Sequence, residues 1–162
     1  MPNWCMNRLT ISHPDQEKIN EFVEQYRKGN TCEHYIPTKN KDNWYEEHLN
    51  NWGTKWDIGS EDNERFGLHP TVVENEASMT FDSAWSPPVG LYKRLEELGF
   101  TVDAMYWEPG MQFAGVWKDG INKEYSNYSG YEELPEQLVS EFNMQTMFEY
   151  DSEDEAMARR CI

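Results

Sequence analysis

Two kinds of side chain in this chain could do chemistry: tryptophan in two short segments, and carboxylate in the C-terminal third. The segments Asn51-Trp52-Gly53-Thr54-Lys55-Trp56-Asp57 and Ser83-Ala84-Trp85-Ser86-Pro87-Pro88 hold three of the seven tryptophans. Trp52, Trp56 and Trp85 could line a groove that stacks on a base, a sugar or a proline. Against that, a strand reading puts Trp85 on one face with Met79 and Phe81, Gly53 allows a tight turn, and Pro87-Pro88 fixes the exit of the chain. Buried aromatics outnumber ligand platforms in ordinary domains. Packing is therefore the expected role, with the three tryptophans as an alternative aromatic site. Lys55 and Asp57 read as a local surface pair of little energetic weight.

The formal charge is −16, from 30 acids against 14 bases. Residues 1–60 hold nine acids and seven bases, a net of −2, so residues 61–162 hold twenty-one and seven, a net of −14. Such a chain repels phosphate backbones, which makes direct nucleic-acid binding unfavourable. The simplest reading of the acidity is that it keeps the chain soluble; attraction to proteins with basic surfaces is the functional alternative. The acids that would supply that attraction are Glu132, Glu133, Glu136, Glu141, Glu149, Asp151, Glu153, Asp154 and Glu155. Tyr128, Tyr131 and Tyr150, read as exposed, would add contact area.

Other chemistry finds no pattern. Cys32-Glu33-His34, or Glu47 with His48, matches no zinc spacing. Three scattered cysteines, Cys5, Cys32 and Cys161, cannot supply the four ligands of an iron–sulfur cluster. There is no phosphate-binding glycine loop, no dinucleotide fingerprint and no nucleophile elbow. The adjacent acids Glu96-Glu97 and Glu132-Glu133 would diverge on a helix, and His13 and His69 each precede a proline. No catalytic, metal or cofactor residue is assigned, and binding rather than catalysis is the expectation. Few cysteines, no signal-peptide pattern and no apolar run of membrane-spanning length point to the cytoplasm.

The elements that must position these groups are legible in part. Residues 3–11 alternate as a strand. Ser12-His13-Pro14-Asp15 reads as a helix start with a serine cap, followed by the stripe Ile19, Phe22, Val23, Tyr26 and the stop Gly29. In the irregular stretch 30–70, Cys32 to Ile36 and Lys55 to Ile58 read as short strands, and residues 44–52 as a short helix ended by Gly53. Residues 71–85 read as one long strand with Ala77, Met79, Phe81, Ser83 and Trp85 pointing one way. Pro87-Pro88 opens a helix carrying Leu91, Leu95 and Leu98. Strands at 101–107, 111–117 and 121–125 form a meander turned by Pro109-Gly110 and Asp119-Gly120, and residues 135–144 form a last helix.

That order gives an α+β class: a ferredoxin-like antiparallel sheet with helices packed on one face, plus a C-terminal helix and acidic tail. The division is a domain over 1–127 with an insert at about 30–70, then the acidic segment 128–162. At this point the residues resemble a family. Met1-Pro2-Asn3-Trp4-Cys5 with Asn7 and Leu9, the 51–57 segment, Ala84-Trp85-Ser86-Pro87-Pro88, and Glu108-Pro109-Gly110 with Phe113-Ala114-Gly115 resemble the YubB-like, Api-like proteins of phages and conjugative plasmids. The similarity spans roughly residues 1–126. It implies a ferredoxin-like domain of mobile-element origin, working in the cytoplasm of a bacterial host. It implies no catalytic residue, because the family has no established activity. Origin and acidity together suggest an inhibitor of a host protein with a basic, nucleic-acid-binding surface, such as a defence nuclease.

Overall fold

The computed structural model describes residues 3–60 and 69–146. Six strands form one antiparallel sheet in the order β2-β3-β1-β4-β5-β6. β1 (Trp4–Ser12) lies at its centre and pairs with β3 (Glu76–Ala84) on one side and β4 (Thr101–Glu108) on the other. Its strict alternation has a simple cause: Cys5, Asn7, Leu9 and Ile11 are buried beneath helices, while Trp4, Met6, Arg8 and Thr10 face the other way.

The long strand expected over 71–85 is two strands. β2 (Thr71–Val73) turns at Glu74-Asn75 and returns as β3, with Glu74 held at φ 53°. The Asn75 side chain donates to the carbonyls of His13 and Pro14 at 2.9 and 2.7 Å, which locks this hairpin to the start of the first helix. Beyond β4, β5 (Phe113–Lys118) and β6 (Ile121–Ser126) are joined by Asp119-Gly120, both at positive φ, the two-residue hairpin that those residue types favour.

Helix α1 (Gln16–Arg27) buries the predicted stripe Ile19, Phe22, Val23 and Tyr26. Its cap is Asp15, whose carboxylate accepts from Glu17 N–H at 3.0 Å, rather than Ser12. Ser12 is still in the sheet, paired with Glu76 and Thr101. The segment expected as a strand at 32–36 is instead helix α2 (Thr31–Tyr35). Asp57, distant in sequence, explains it: its carboxylate accepts from Cys32 N–H at 2.6 Å and Glu33 N–H at 2.9 Å, two of the donors that a helix start leaves without a partner. Residues 55–58, also expected as a strand, make no sheet pairing and serve this capping loop.

Helix α3 (Trp44–Asn51) ends against α4 (Val89–Glu97). Gly90 makes that approach possible, since a Cβ there would overlap the Asn51 carbonyl, and its N–H donates to Trp52 O at 2.9 Å. The first core lies between the sheet and α1, α2, α4 and Trp52. A second core lies on the opposite face of the sheet. There Leu134, Leu138 and Met144, from helix α5 (Glu136–Glu141) and its flanks, cover Trp107 and Ala114.

Candidate binding surfaces

The acidic candidates separate into three groups. Glu132, Glu133 and Glu136 are exposed on the turn Tyr131–Glu133 and the start of α5. They hold a fixed position because the intervening Leu134 and Leu138 are buried in the second core. Glu133 is tied further by accepting from Ser129 N–H at 2.6 Å. Glu141 faces Arg8 at 3.8 Å, an exposed pair of little weight, across a cleft of about 280 Å³ between α5 and the sheet. Glu149, Tyr150, Asp151, Glu153, Asp154 and Glu155 lie outside the described residues.

Tyr128 is corrected. It is 6% exposed, and its hydroxyl accepts from Trp107 Nε1 at 2.7 Å, so it is a core residue and not a contact residue. Burial raises its pKa above the ordinary phenol value, opposed by the Trp107 hydrogen bond. Tyr131 is half-buried against the same core. Nothing local in the sequence separates these two tyrosines; the Trp107 indole that takes Tyr128 arrives from a strand on the sheet's second face.

The three tryptophans do not form one site. Trp52 is 3% exposed, donates from Nε1 to Ile36 O at 2.8 Å, and stacks on His48 with ring centroids 3.6 Å apart. Trp56 and Trp85 are 36% and 40% exposed. The spacing of Trp52 and Trp56 would share a helix face, but α3 ends at Asn51 and Gly53 turns the chain at φ 89°. Trp85 leaves the inward face of β3 because the strand stops at Ala84 and Trp85 itself sits at φ 71°, with its N–H donating to Asn3 O at 2.8 Å.

The loop carrying Trp56 is fastened from several sides. His48 Nδ1 donates to Lys55 O at 2.8 Å, Thr54 Oγ1 donates to Ala84 O at 2.9 Å, and the Ser86 hydroxyl donates to Gly53 O. The surface pair expected between Lys55 and Asp57 does not form. Asp57 turns inward to cap α2, and burial raises its pKa against the lowering effect of three backbone N–H donors. The Lys55 ammonium lies over the rings of Tyr45 at 5.5 Å and Trp56 at 4.8 Å. Trp56 in turn meets Trp4 at 5.9 Å, and Trp44 meets Tyr45 at 5.9 Å. Trp4, Trp44 and Tyr45 are site candidates that sequence reasoning missed. The available signal was that α3 carries Trp44, Tyr45 and Leu49 across more than one face of a helix too short to bury them all.

Cys32, Glu33 and His34 diverge. Cys32 is buried, Glu33 accepts from Thr38 N–H at 2.9 Å, and His34 meets Glu21 at 2.8 Å. Among the described residues, no three His, Cys, Asp or Glu side chains are grouped to hold a metal, and no helix is long and apolar enough to cross a membrane. No protein-family model, curated protein or solved structure matches the chain.

Proposed function

We propose that this chain is a small, acidic, non-enzymatic binding protein of a phage or plasmid. It acts in the host cytoplasm on a host protein with a basic surface, occupying the groove where that protein would hold nucleic acid. The observation that carries this reading is the display of Glu132, Glu133 and Glu136 on a segment whose apolar side is packed onto the sheet. Residues 131–146 contain four acids and no lysine or arginine, so the segment itself carries one sign of charge, with Arg8 of β1 facing Glu141. A fixed row of carboxylates engages a basic groove without the ordering entropy that a loose tail must lose. The acids at 149–155 extend the same charge in sequence.

The ferredoxin-like reading draws support from the strand order β2-β3-β1-β4, which is that of a split βαβ sandwich, with β5 and β6 added beyond β4. The alternative, a module that binds nucleic acid or a small ligand through its tryptophans, draws support from the exposure of Trp56 and Trp85. The charge of −16 opposes its nucleic-acid form.

The test is capture from a bacterial lysate by the intact chain and by a Glu132→Gln, Glu133→Gln, Glu136→Gln variant. A partner should be held by the intact chain, released as salt rises, and held markedly less by the variant. Undiminished capture by the variant would overturn the role of these acids. Point variants are preferred to truncation after Tyr128, because truncation strips Leu134, Leu138 and Met144 from the second core.

A further inference from the structure

Helix α3 buries none of its side chains fully, so hydrogen bonds must hold it. Several of them run through one short chain of polar groups. Thr38 stands between α2 and α3. Its hydroxyl donates to Glu33 Oε2 at 2.5 Å and lies 2.9 Å from His48 Nε2, and its N–H donates to Glu33 Oε1 at 2.9 Å. The other ring nitrogen of His48, Nδ1, donates to Lys55 O at 2.8 Å. Glu33 belongs to α2, His48 to α3 and Lys55 to the 53–56 loop, so the chain ties three segments together.

Donors and acceptors along this chain fix its protons. Lys55 O is a carbonyl and can only accept, so Nδ1 carries a proton. An ionised Glu33 can also only accept, so the single hydroxyl proton of Thr38 goes to it; two oxygens 2.5 Å apart with no proton between them would repel. Thr38 then has no proton left for His48, and Nε2 must donate as well. The other satisfied arrangement puts the same extra proton on Glu33. Imidazole is the stronger base by about two pH units in model compounds, so the proton rests on His48. The surroundings favour that charge. The His48 ring stacks on Trp52 with centroids 3.6 Å apart, and Trp44 meets it at 5.3 Å. Glu47, next to it on α3, has its pKa lowered by the Lys39 and Asn40 N–H groups that it accepts from. Among the cations, Lys39 offsets Glu47 in part, and the Lys55 ammonium is turned over the rings of Tyr45 and Trp56. Asp57, beyond Glu33, is engaged in capping α2, and α4 meets α3 through the uncharged contact of Gly90 with Asn51 and Trp52.

We propose that Glu33, Thr38 and His48 form a pH-sensitive clasp, in which one shared proton joins α2 to α3 and its loss parts them. Without that proton, Thr38 can donate to Glu33 or to His48 but not to both. The lone pairs left facing each other then push the two helices apart. With no fully buried side chain to retain it, α3 is the element that loosens. The clasp therefore governs how firmly α3 holds its exposed Trp44 and Tyr45 in place.

The proton is read from the ring-nitrogen NMR shifts of His48 in the full chain at pH about 7.5, where an unconstrained imidazole is about nine-tenths neutral. Both nitrogens should be protonated in the intact chain and in Thr38→Ser, which keeps the hydroxyl. Glu33→Gln should leave His48 neutral with the chain of hydrogen bonds intact, because the carboxamide donates to Thr38 and frees the hydroxyl proton for Nε2. The clasp is read from hydrogen exchange of the α3 amides, corrected for intrinsic rates, between pH about 6 and about 9. Exchange in the intact chain should quicken roughly fivefold as the second His48 proton leaves, the factor that one hydrogen bond supplies. Glu33→Gln should stay protected across the range, and Thr38→Val should exchange fast throughout. A neutral His48 in the intact chain at pH about 7.5 overturns the shared proton. Exchange that follows the same course in the intact chain and in Glu33→Gln overturns the clasp.

Discussion

Replacing Trp85 by alanine and by glycine separates what its side chain does from what its backbone costs. The indole is 40% exposed, so it covers roughly 100–150 Å², worth about 3 kcal/mol at 25 cal/mol/Å². Both variants lose that contact, and it cancels between them. What remains is the backbone at φ 71°. A Cβ in the left-handed region costs about 1–2 kcal/mol, while glycine's greater freedom in the unfolded chain costs about 0.5–1 kcal/mol. Trp85→Gly should therefore be the more stable of the pair by about 0.5–1 kcal/mol, the reverse of the usual order in a strand or helix. In urea, with a slope of about 2 kcal/mol per M, the glycine midpoint should lie roughly 0.3–0.5 M above the alanine midpoint. Equal slopes are required for the comparison. An alanine variant as stable as the glycine variant would refute the reasoning that this tryptophan is kept against its backbone preference.

Three further outcomes follow from the packing. Leu138→Ala, at a side chain with no exposure, should lose about 2–5 kcal/mol in denaturant unfolding, and truncation after Tyr128 should broaden or abolish the cooperative transition; a truncated chain that melts like the intact one would show the second core to be dispensable. Asp57→Ala strands three backbone N–H groups and should lose about 3 kcal/mol, while Asp57→Asn retains one acceptor and should lose about half as much by the same assay; a neutral alanine variant would refute the cap. Burial raises the phenol pKa of Tyr26, Tyr35, Tyr92 and Tyr106 and the thiol pKa of Cys5 and Cys32. The folded state holds these protons more tightly than the unfolded state, so stability is full below the unfolded values, about 8.5 for thiol and about 10 for phenol, and falls as pH rises through the folded ones. Alkylation of Cys5 and Cys32 should coincide with alkaline unfolding, and reaction of either in the native protein near pH about 8.5 would contradict it.

Elements governed by local periodicity were legible. The alternation of β1 and β3, the stripe of α1, the proline-led start of α4 and the Asp119-Gly120 hairpin each follow from residues within one element and its ends. The candidate site was legible only as composition. Charge sums do not depend on folding, so the acidity of residues 131–141 could be read directly. Which aromatics are exposed could not, because exposure depends on what arrives from elsewhere in the chain. Tyr128 is buried by Trp107, and Trp52 by Ile36 and His48.

The sequence alone determined the α+β class, the order of most elements, the sign and placement of the charge, and the lack of any catalytic or phosphate-binding motif. These are properties of periods, sums and short spacings. Tertiary structure decided the rest. A carboxylate 25 residues away made residues 31–35 a helix where the local pattern favoured a strand. A second core on the far face of the sheet holds residues 131–144 against it, so the acids between its buried side chains face outward. A helix end and two left-handed residues, Gly53 and Trp85, parted three tryptophans into one core residue and two surface ones. In each case the deciding partner is remote in sequence, and no local window contains it.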